Sequence, residues 1–165
     1  MSRFISKILR HSPEVIGIRV EREGGWADVN KQIDGISKRR YSFNADGSKI
    51  RANQGHSIDV VIEMEHRQPP EFLYHGTAWR FMNSIMDKGL LPGSRNYVHL
   101  SPDYATAVTV GYRHSKPEQP VVLKVHAGQM AADGYDFMIS DNGVWQIAQV
   151  PPQYLAIMES ETING

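Results

Sequence analysis

Residues 97–125 read YVHLSPDYATAVTVGYRHSKPEQPVVLKV, and the order of signals within them decides the fold. Tyr97-Val98-His99-Leu100 is a short extended run and predicts a strand. Ser101-Pro102 punctuates it and opens a helix over 103–110. Gly111-Tyr112-Arg113-His114 ends that helix. Val121 to Val125 is an apolar, β-branched run that predicts a buried strand. The same alternation continues outward in both directions. Upstream, residues 72–74 predict a strand and 78–88 a helix stopped by Gly89. Downstream, residues 144–150 predict a further strand. Many short strands with few helices specify an α+β fold with a mixed or antiparallel sheet. Gln68-Pro69-Pro70 interrupts the pattern and marks a boundary between two lobes, 1–68 and 69–165.

The first lobe has its own pattern. Phe4, Ile5, Ile8 and Leu9 recur at helical spacing over residues 2–10, and Ser12-Pro13 ends that helix. Residues 15–20 read as extended, and Gly24-Gly25 as a turn. Asp28 is placed to cap a helix over 28–36. Residues 41–50 read as a hairpin whose turn carries Asp46-Gly47, a pair that tolerates positive φ. Residues 60–62 add a strand. Helix, helix and hairpin resemble a winged-helix module, but the third helix that usually precedes the hairpin has no room.

Composition narrows the function classes. With 165 residues, 41% hydrophobic and 22% charged, the chain is an ordinary globular one. It has no cysteine, which excludes disulfides, thiolate metal sites and a cysteine nucleophile. No apolar run is long enough to cross a bilayer, and the N-terminus lacks the apolar core of a signal peptide. A cytoplasmic protein is the expectation. Eighteen basic residues balance eighteen acidic ones, but unevenly. Residues 1–56 carry eleven Lys and Arg against six Asp and Glu, so the first lobe is basic and the remainder acidic. A basic lobe suits a polyanion, though a solvated mixed surface gives the same count.

Familiar catalytic motifs are absent. There is no HExxH, no P-loop lysine, no GxSxG elbow and no Rossmann glycine pattern. No two histidines stand four apart, so no helical two-His metal site is written, and no metal is expected. Polar clusters at element ends remain. Arg10-His11 ends the first helix. Arg51 opens a donor-rich run to Ser57. His75-Gly76-Thr77 lies where a strand gives way to a helix, and His99 with Ser101 ends another strand. Arg113-His114 ends the second long helix. Singly, each has an ordinary structural explanation, such as a helix C-terminal cation or a core histidine. Together they suit a phosphate-bearing ligand, since Arg forks match phosphate oxygens and Gly admits close backbone approach.

At this level of detail the sequence resembles the RNA 2'-phosphotransferase family. The resemblance is carried by Leu9-Arg10-His11-Ser12-Pro13-Glu14, Gly25-Trp26-Ala27-Asp28 and the run from Ile50 to Ser57. It continues through Leu73-Tyr74-His75-Gly76-Thr77, Tyr97-Val98-His99-Leu100-Ser101 and Val110-Gly111-Tyr112-Arg113-His114. Pro120-Val121-Val122-Leu123, Asn142-Gly143-Val144-Trp145 and the run from Val150 to Leu155 complete it. The blocks fall in the family's order over most of the chain. The resemblance implies a winged-helix-like RNA lobe followed by an ADP-ribosyltransferase-like NAD lobe. It implies two-step transfer of an internal RNA 2'-phosphate to NAD, which is consumed. The products are nicotinamide, ADP-ribose 1'',2''-cyclic phosphate and RNA with a free 2'-hydroxyl. The partners implied are tRNA-like RNA carrying that phosphate and NAD, with no membrane and no obligate protein partner. The eukaryotic setting of the family is tRNA splicing.

By motif, the family's essential set falls on Arg10, His11, Arg51 and Arg113. Its NAD signature falls on His75, His99 and Val144, with Gly76, Thr77 and Ser101 beside them. The sequence departs from the family between Asp28 and Lys38, where a longer stretch is usual. Either this lobe has lost its third helix or a stretch of chain is missing there. Two other functions use the same pocket: an ADP-ribosyltransferase that caps terminal phosphates of nucleic acid, and a non-catalytic RNA or ADP-ribose binding module.

Overall fold

The structure is a computed structural model and describes residues 2–13, 19–28, 41–53 and 64–158. The chain folds into two compact units. The first holds Met1–Glu65 with two later excursions, Gly93–Asn96 and Ser140–Gly143. The second holds His66–Pro92, Tyr97–Ile139 and Val144–Gly165.

In the first unit, helix α1 spans Ser2–His11. It stops before Pro13, as the ring of that residue demands. Its apolar stripe turns inward, and Ile8 and Leu9 are buried. Three short strands follow: β1 (Ala27–Asp28), β2 (Tyr41–Phe43) and β3 (Lys49–Ala52). They form one antiparallel sheet in the order β1-β3-β2, with Tyr41 opposite Ala52 and Ala27 opposite Ile50. The hairpin turns at Asn44–Ser48 with Gly47 at φ 73°, as Asp46-Gly47 predicts. Strand β3 alternates. Ile50 and Ala52 are buried with Leu9, Ala27 and Tyr41, while Lys49 and Arg51 take the other face. Asp28 ends β1, opposite Lys49. The rest of the expected 28–36 helix, the extended reading over 15–18 and the 60–62 strand fall outside the described residues.

The second unit carries two more sheets. Strand β4 is Glu65–His66, β5 is Leu73–Thr77 and β6 is Val98–Leu100; β7 is Val121–Val125, β8 Met138–Ile139, β9 Trp145–Ile147 and β10 Leu155–Met158. One sheet runs β10-β7-β5 and the other β4-β8-β9-β6. The ladders β10–β7, β5–β7, β6–β9 and β8–β9 are antiparallel. Central β7 is buried at Val121, Val122, Leu123 and Val125, so its apolar run is continuous instead of alternating. Helix α2 (Met82–Lys88) follows a 3-10 turn at Trp79–Phe81. Helix α3 (Tyr104–Ser115) begins at Asp103, whose carboxylate accepts from the Thr106 N–H at 2.7 Å. Helix α4 (Ala127–Ala132) completes the set. The protein is therefore α+β with antiparallel sheets and few helices.

The packing of α3 on β5 is backbone on backbone. A Cβ on Gly76 would stand 1.9 Å from the Ala107 carbonyl oxygen, and one on Gly111 would stand 3.2 Å from the Gly76 Cα. Facing glycines let the helix lie directly on the strand.

Several boundaries differ from the sequence reading. The 103–110 helix continues to Ser115, so Arg113 and His114 sit in its last turn. The strand over 144–150 is confined to Trp145–Ile147, with a separate bridge from Val150 to Leu90. Helix α4 and strands β4, β8 and β10 were not expected. Residues 127–132 follow β7 after one residue with no polar break, and β4 and β8 are two residues each, too short for any periodicity.

Candidate functional site

The predicted residues fall into two groups, one in each unit. Arg10 and His11 occupy the last turn of α1, and Arg51 lies in β3, whose apolar face packs against Leu9 of the same helix. The Arg51 side chain is 13% exposed, and its neighbours define its position. Its guanidinium stacks on the Trp26 ring, 4.5 Å from the centroid. Its Nη2 donates to Asp141 Oδ2 at 3.2 Å. Its Nε is buried and makes no hydrogen bond to the described residues. Ser42, opposite Arg51 in the ladder, donates from Oγ to Asn53 Oδ1 at 2.7 Å. The indole fits because residue 24 is glycine: a Cβ there would stand 2.6 Å from the Trp26 ring, and φ is 79°. The Glu21 N–H donates to the Trp26 carbonyl at 2.8 Å and closes this loop.

The His11 pKa is lowered, first by burial and then by the cations Arg10, Arg95 and Lys7. Lys7 stands one helical turn before His11, and Arg95 comes from the Gly93–Asn96 excursion into this unit. The ring is thus neutral at pH 7. The unit thus offers two anion-seeking features, the Arg51 guanidinium fixed in plane and the His11 imidazole among the cations Arg10, Arg95 and Lys7.

The second unit assembles His75, His99 and Ser101. The Tyr74 N–H donates to the Ser101 carbonyl at 2.9 Å, and the Ser101 N–H to the Tyr74 carbonyl at 2.7 Å. This bridge joins β5 to the end of β6. His75 Nδ1 lies 3.0 Å from the His99 carbonyl oxygen. A carbonyl only accepts, so Nδ1 carries the hydrogen. Thr77 is buried at the end of β5. Val144 immediately precedes β9, whose Trp145 pairs with Leu100, so the register sets Val144 beside Ser101. Arg113 lies two residues beyond Gly111, whose backbone faces Gly76. Gly76 therefore has a packing reason for being glycine.

Two imidazoles, one with its ring held by a carbonyl, and two hydroxyl residues suit a hydroxyl-rich ligand such as a ribose. Among the described residues no three His, Asp or Glu side chains converge on a possible metal position. A cleft of about 250 Å³ between residues 66–69 and 135–137 contains none of the predicted residues. No described helix is long and apolar enough to cross a membrane.

Sequence reading did not identify Asp141 or Trp26 as partners of Arg51, nor Arg95 as a neighbour of His11. Trp26 stood inside a recognised block and Asp141 one residue before another. Only their side-chain contacts, across 25 and 90 residues of chain, were invisible.

Residues 25–149 match the profile of the RNA 2'-phosphotransferase, Tpt1 / KptA family. Full-length relatives agree. A probable RNA 2'-phosphotransferase of Flavobacterium johnsoniae is 43% identical, with 94% of this chain and 93% of the relative aligned. One from Pectobacterium carotovorum is 46% identical over 94% and 92% of the two chains. One from Acaryochloris marina is 44% identical over 96% of each. The chain belongs to the RNA 2'-phosphotransferase, Tpt1 / KptA family. These alignments run over 174 to 178 positions, more than the 165 residues of this chain. The relatives therefore carry residues within the matched span that this chain lacks.

Proposed function

We propose that this chain transfers an internal RNA 2'-phosphate to NAD in two steps and works in the cytoplasm. The observation that carries this reading is the likeness, along nearly the whole chain, to proteins named for that transfer. In this reading Met1–Glu65, with its helix on a three-stranded sheet, is the winged-helix-like RNA lobe. The second unit is the ADP-ribosyltransferase-like lobe. NAD, when bound, supplies the ribose carbon that accepts the phosphate and nicotinamide as leaving group.

The residues of this chain divide the work by charge. Arg10, Arg51 and Arg113 bind the 2'-phosphate, which is already anionic at neutral pH, so no general base is needed. The absence of a carboxylate at Val144 accords with that. In the first step a phosphate oxygen bonds to C1'' of the nicotinamide ribose as the glycosidic C–N bond breaks. His75, Gly76, Thr77, His99 and Ser101 hold the ribose. In the second step O2'' bonds to phosphorus and the P–O2' bond to RNA breaks. Negative charge builds on the phosphorus oxygens, and preorganised guanidinium groups lower that barrier, each by about 3 kcal/mol. Arg51 already grips a carboxylate oxygen, the kind of anion a phosphate replaces. The proton that O2'' loses on bonding to phosphorus passes by way of His11 to the leaving 2'-oxygen, which departs as a hydroxyl.

The test is an oligoribonucleotide with one internal 2'-phosphate, incubated with NAD and protein. Loss of the phosphate with formation of ADP-ribose 1'',2''-cyclic phosphate is expected. Arg51→Ala and Arg113→Ala are expected to accumulate ADP-ribosylated RNA. An intact wild-type reaction mixture after prolonged incubation would overturn the reading.

A further inference from the structure

The second unit carries an exposed aromatic and basic surface of which the proposed chemistry uses only Arg113. The 3-10 turn after β5 presents Trp79, 58% exposed, and Phe81, 44% exposed. Between them Arg80 lies over the Phe81 ring, 4.8 Å from its centroid. The same guanidinium donates through Nη2 to the carbonyl oxygen of His114. That contact ties the turn to the last turn of α3, which carries the half-exposed Tyr112, Arg113 and His114, with Lys116 as its C-cap. Arg80, Arg113 and Lys116 are three of the six Lys and Arg residues of a unit in which acidic residues outnumber basic ones. Half of the unit's Lys and Arg residues therefore belong to this turn and the C-terminal end of α3.

Single exposed aromatics need no explanation. Here two flank an arginine, and the arginine stacks on one of them. Exposed rings interleaved with cations are what single-stranded nucleic acid binds, with bases on the rings and phosphates on the cations. A duplex would bury its base faces and leave the rings without a partner.

We propose that Trp79 and Phe81 are a stacking platform for unpaired bases of the RNA substrate, with Arg80 and Lys116 serving its backbone. Naming RNA as the occupant rests on the proposed function; the platform reads nucleotides flanking the 2'-phosphate, not the phosphate itself.

The experiment uses the full chain without NAD and a fluorescein-labelled single-stranded oligoribonucleotide lacking any 2'-phosphate. Trp79→Ala and Phe81→Ala should each weaken binding about 5-fold or more. Trp79→Phe should keep most of the affinity yet clearly reduce the tryptophan quenching that RNA causes in the wild type. Wild-type affinity in both alanine variants, or equal affinity for a duplex of the same sequence, overturns the platform. Thermal melts of Trp79→Ala matching wild type separate loss of contact from loss of fold. Because this RNA has no 2'-phosphate, failure of phosphate transfer in a separate assay would sink the proposed function and leave the stacking result standing.

Discussion

Arg51 and His75 occupy equivalent positions, each inside an antiparallel ladder, Arg51 opposite Ser42 and His75 opposite Leu123. Arg51 is held by other side chains: an indole beneath its plane and an exposed carboxylate at its edge. His75 is held by main chain. Its Nδ1 hydrogen points at the His99 carbonyl, its neighbour Tyr74 bridges to Ser101, and Gly76 lies against the backbone of α3. A guanidinium gripped by a solvent-facing carboxylate can exchange that partner for a phosphate at small cost. A ring tied to a carbonyl moves only if a strand moves. In the proposed function the adjustable support belongs to the residue assigned to a variable polymer, and the fixed support to the one assigned to an invariant small molecule.

The strongest way to break this comparison is Gly76→Ala. The added methyl meets the Ala107 carbonyl and forces β5 from α3. A loss of about 3 kcal/mol is expected in urea denaturation. A variant as stable as wild type would mean that His75 is not held by rigid packing. Trp26→Leu attacks the other support. Removing the stack should cost Arg51 about 1 kcal/mol of positioning, read as a several-fold fall in kcat/KM for RNA with the KM for NAD unchanged. Asp141→Asn sharpens the exchange argument. With the competing carboxylate neutralised, inorganic phosphate should inhibit about 2- to 5-fold more strongly. Weaker inhibition would make Asp141 a partner in phosphate binding rather than a stand-in for it.

The smallest effects are titrations, one in each unit and of opposite sign. Lowering the His11 pKa below 6.5 means that the unfolded chain takes up the proton first. Stability from this group is present above pH 6.5 and is lost as pH falls through the lowered value, a trend His11→Gln removes. Tyr154 is pushed up to about 12, chiefly because its hydroxyl donates to Asp133 Oδ2 at 2.6 Å. Its contribution is complete below pH 10 and lost as pH rises toward 12, and Tyr154→Phe removes that dependence. Chemical denaturation across pH, followed at both ends, checks the pair.

Local signals carried much of this architecture. The hairpin was legible because Asp46-Gly47 states its own turn, α1 because its apolar spacing and Pro13 agree, and β7 because five residues suffice for a buried strand. Helix α3 was placed but ended five residues early, since Val110-Gly111 looks like a stop; the glycine serves contact with Gly76 instead. Strand β10 was unreadable because its identity depends on pairing with β7, thirty residues earlier. The candidate site residues were named by family resemblance. What holds Arg51 was not, because Trp26 and Asp141 are ordinary residues until the chain folds.

The Tyr74–Ser101 bridge has a mechanical consequence. Its two hydrogen bonds rivet the β10-β7-β5 sheet to the β4-β8-β9-β6 sheet beside His75. Sliding one sheet over the other breaks both bonds in a single event. The amide protons of Tyr74 and Ser101 should therefore trade for deuterium at one common rate, and that rate measures how often the histidine pair comes apart.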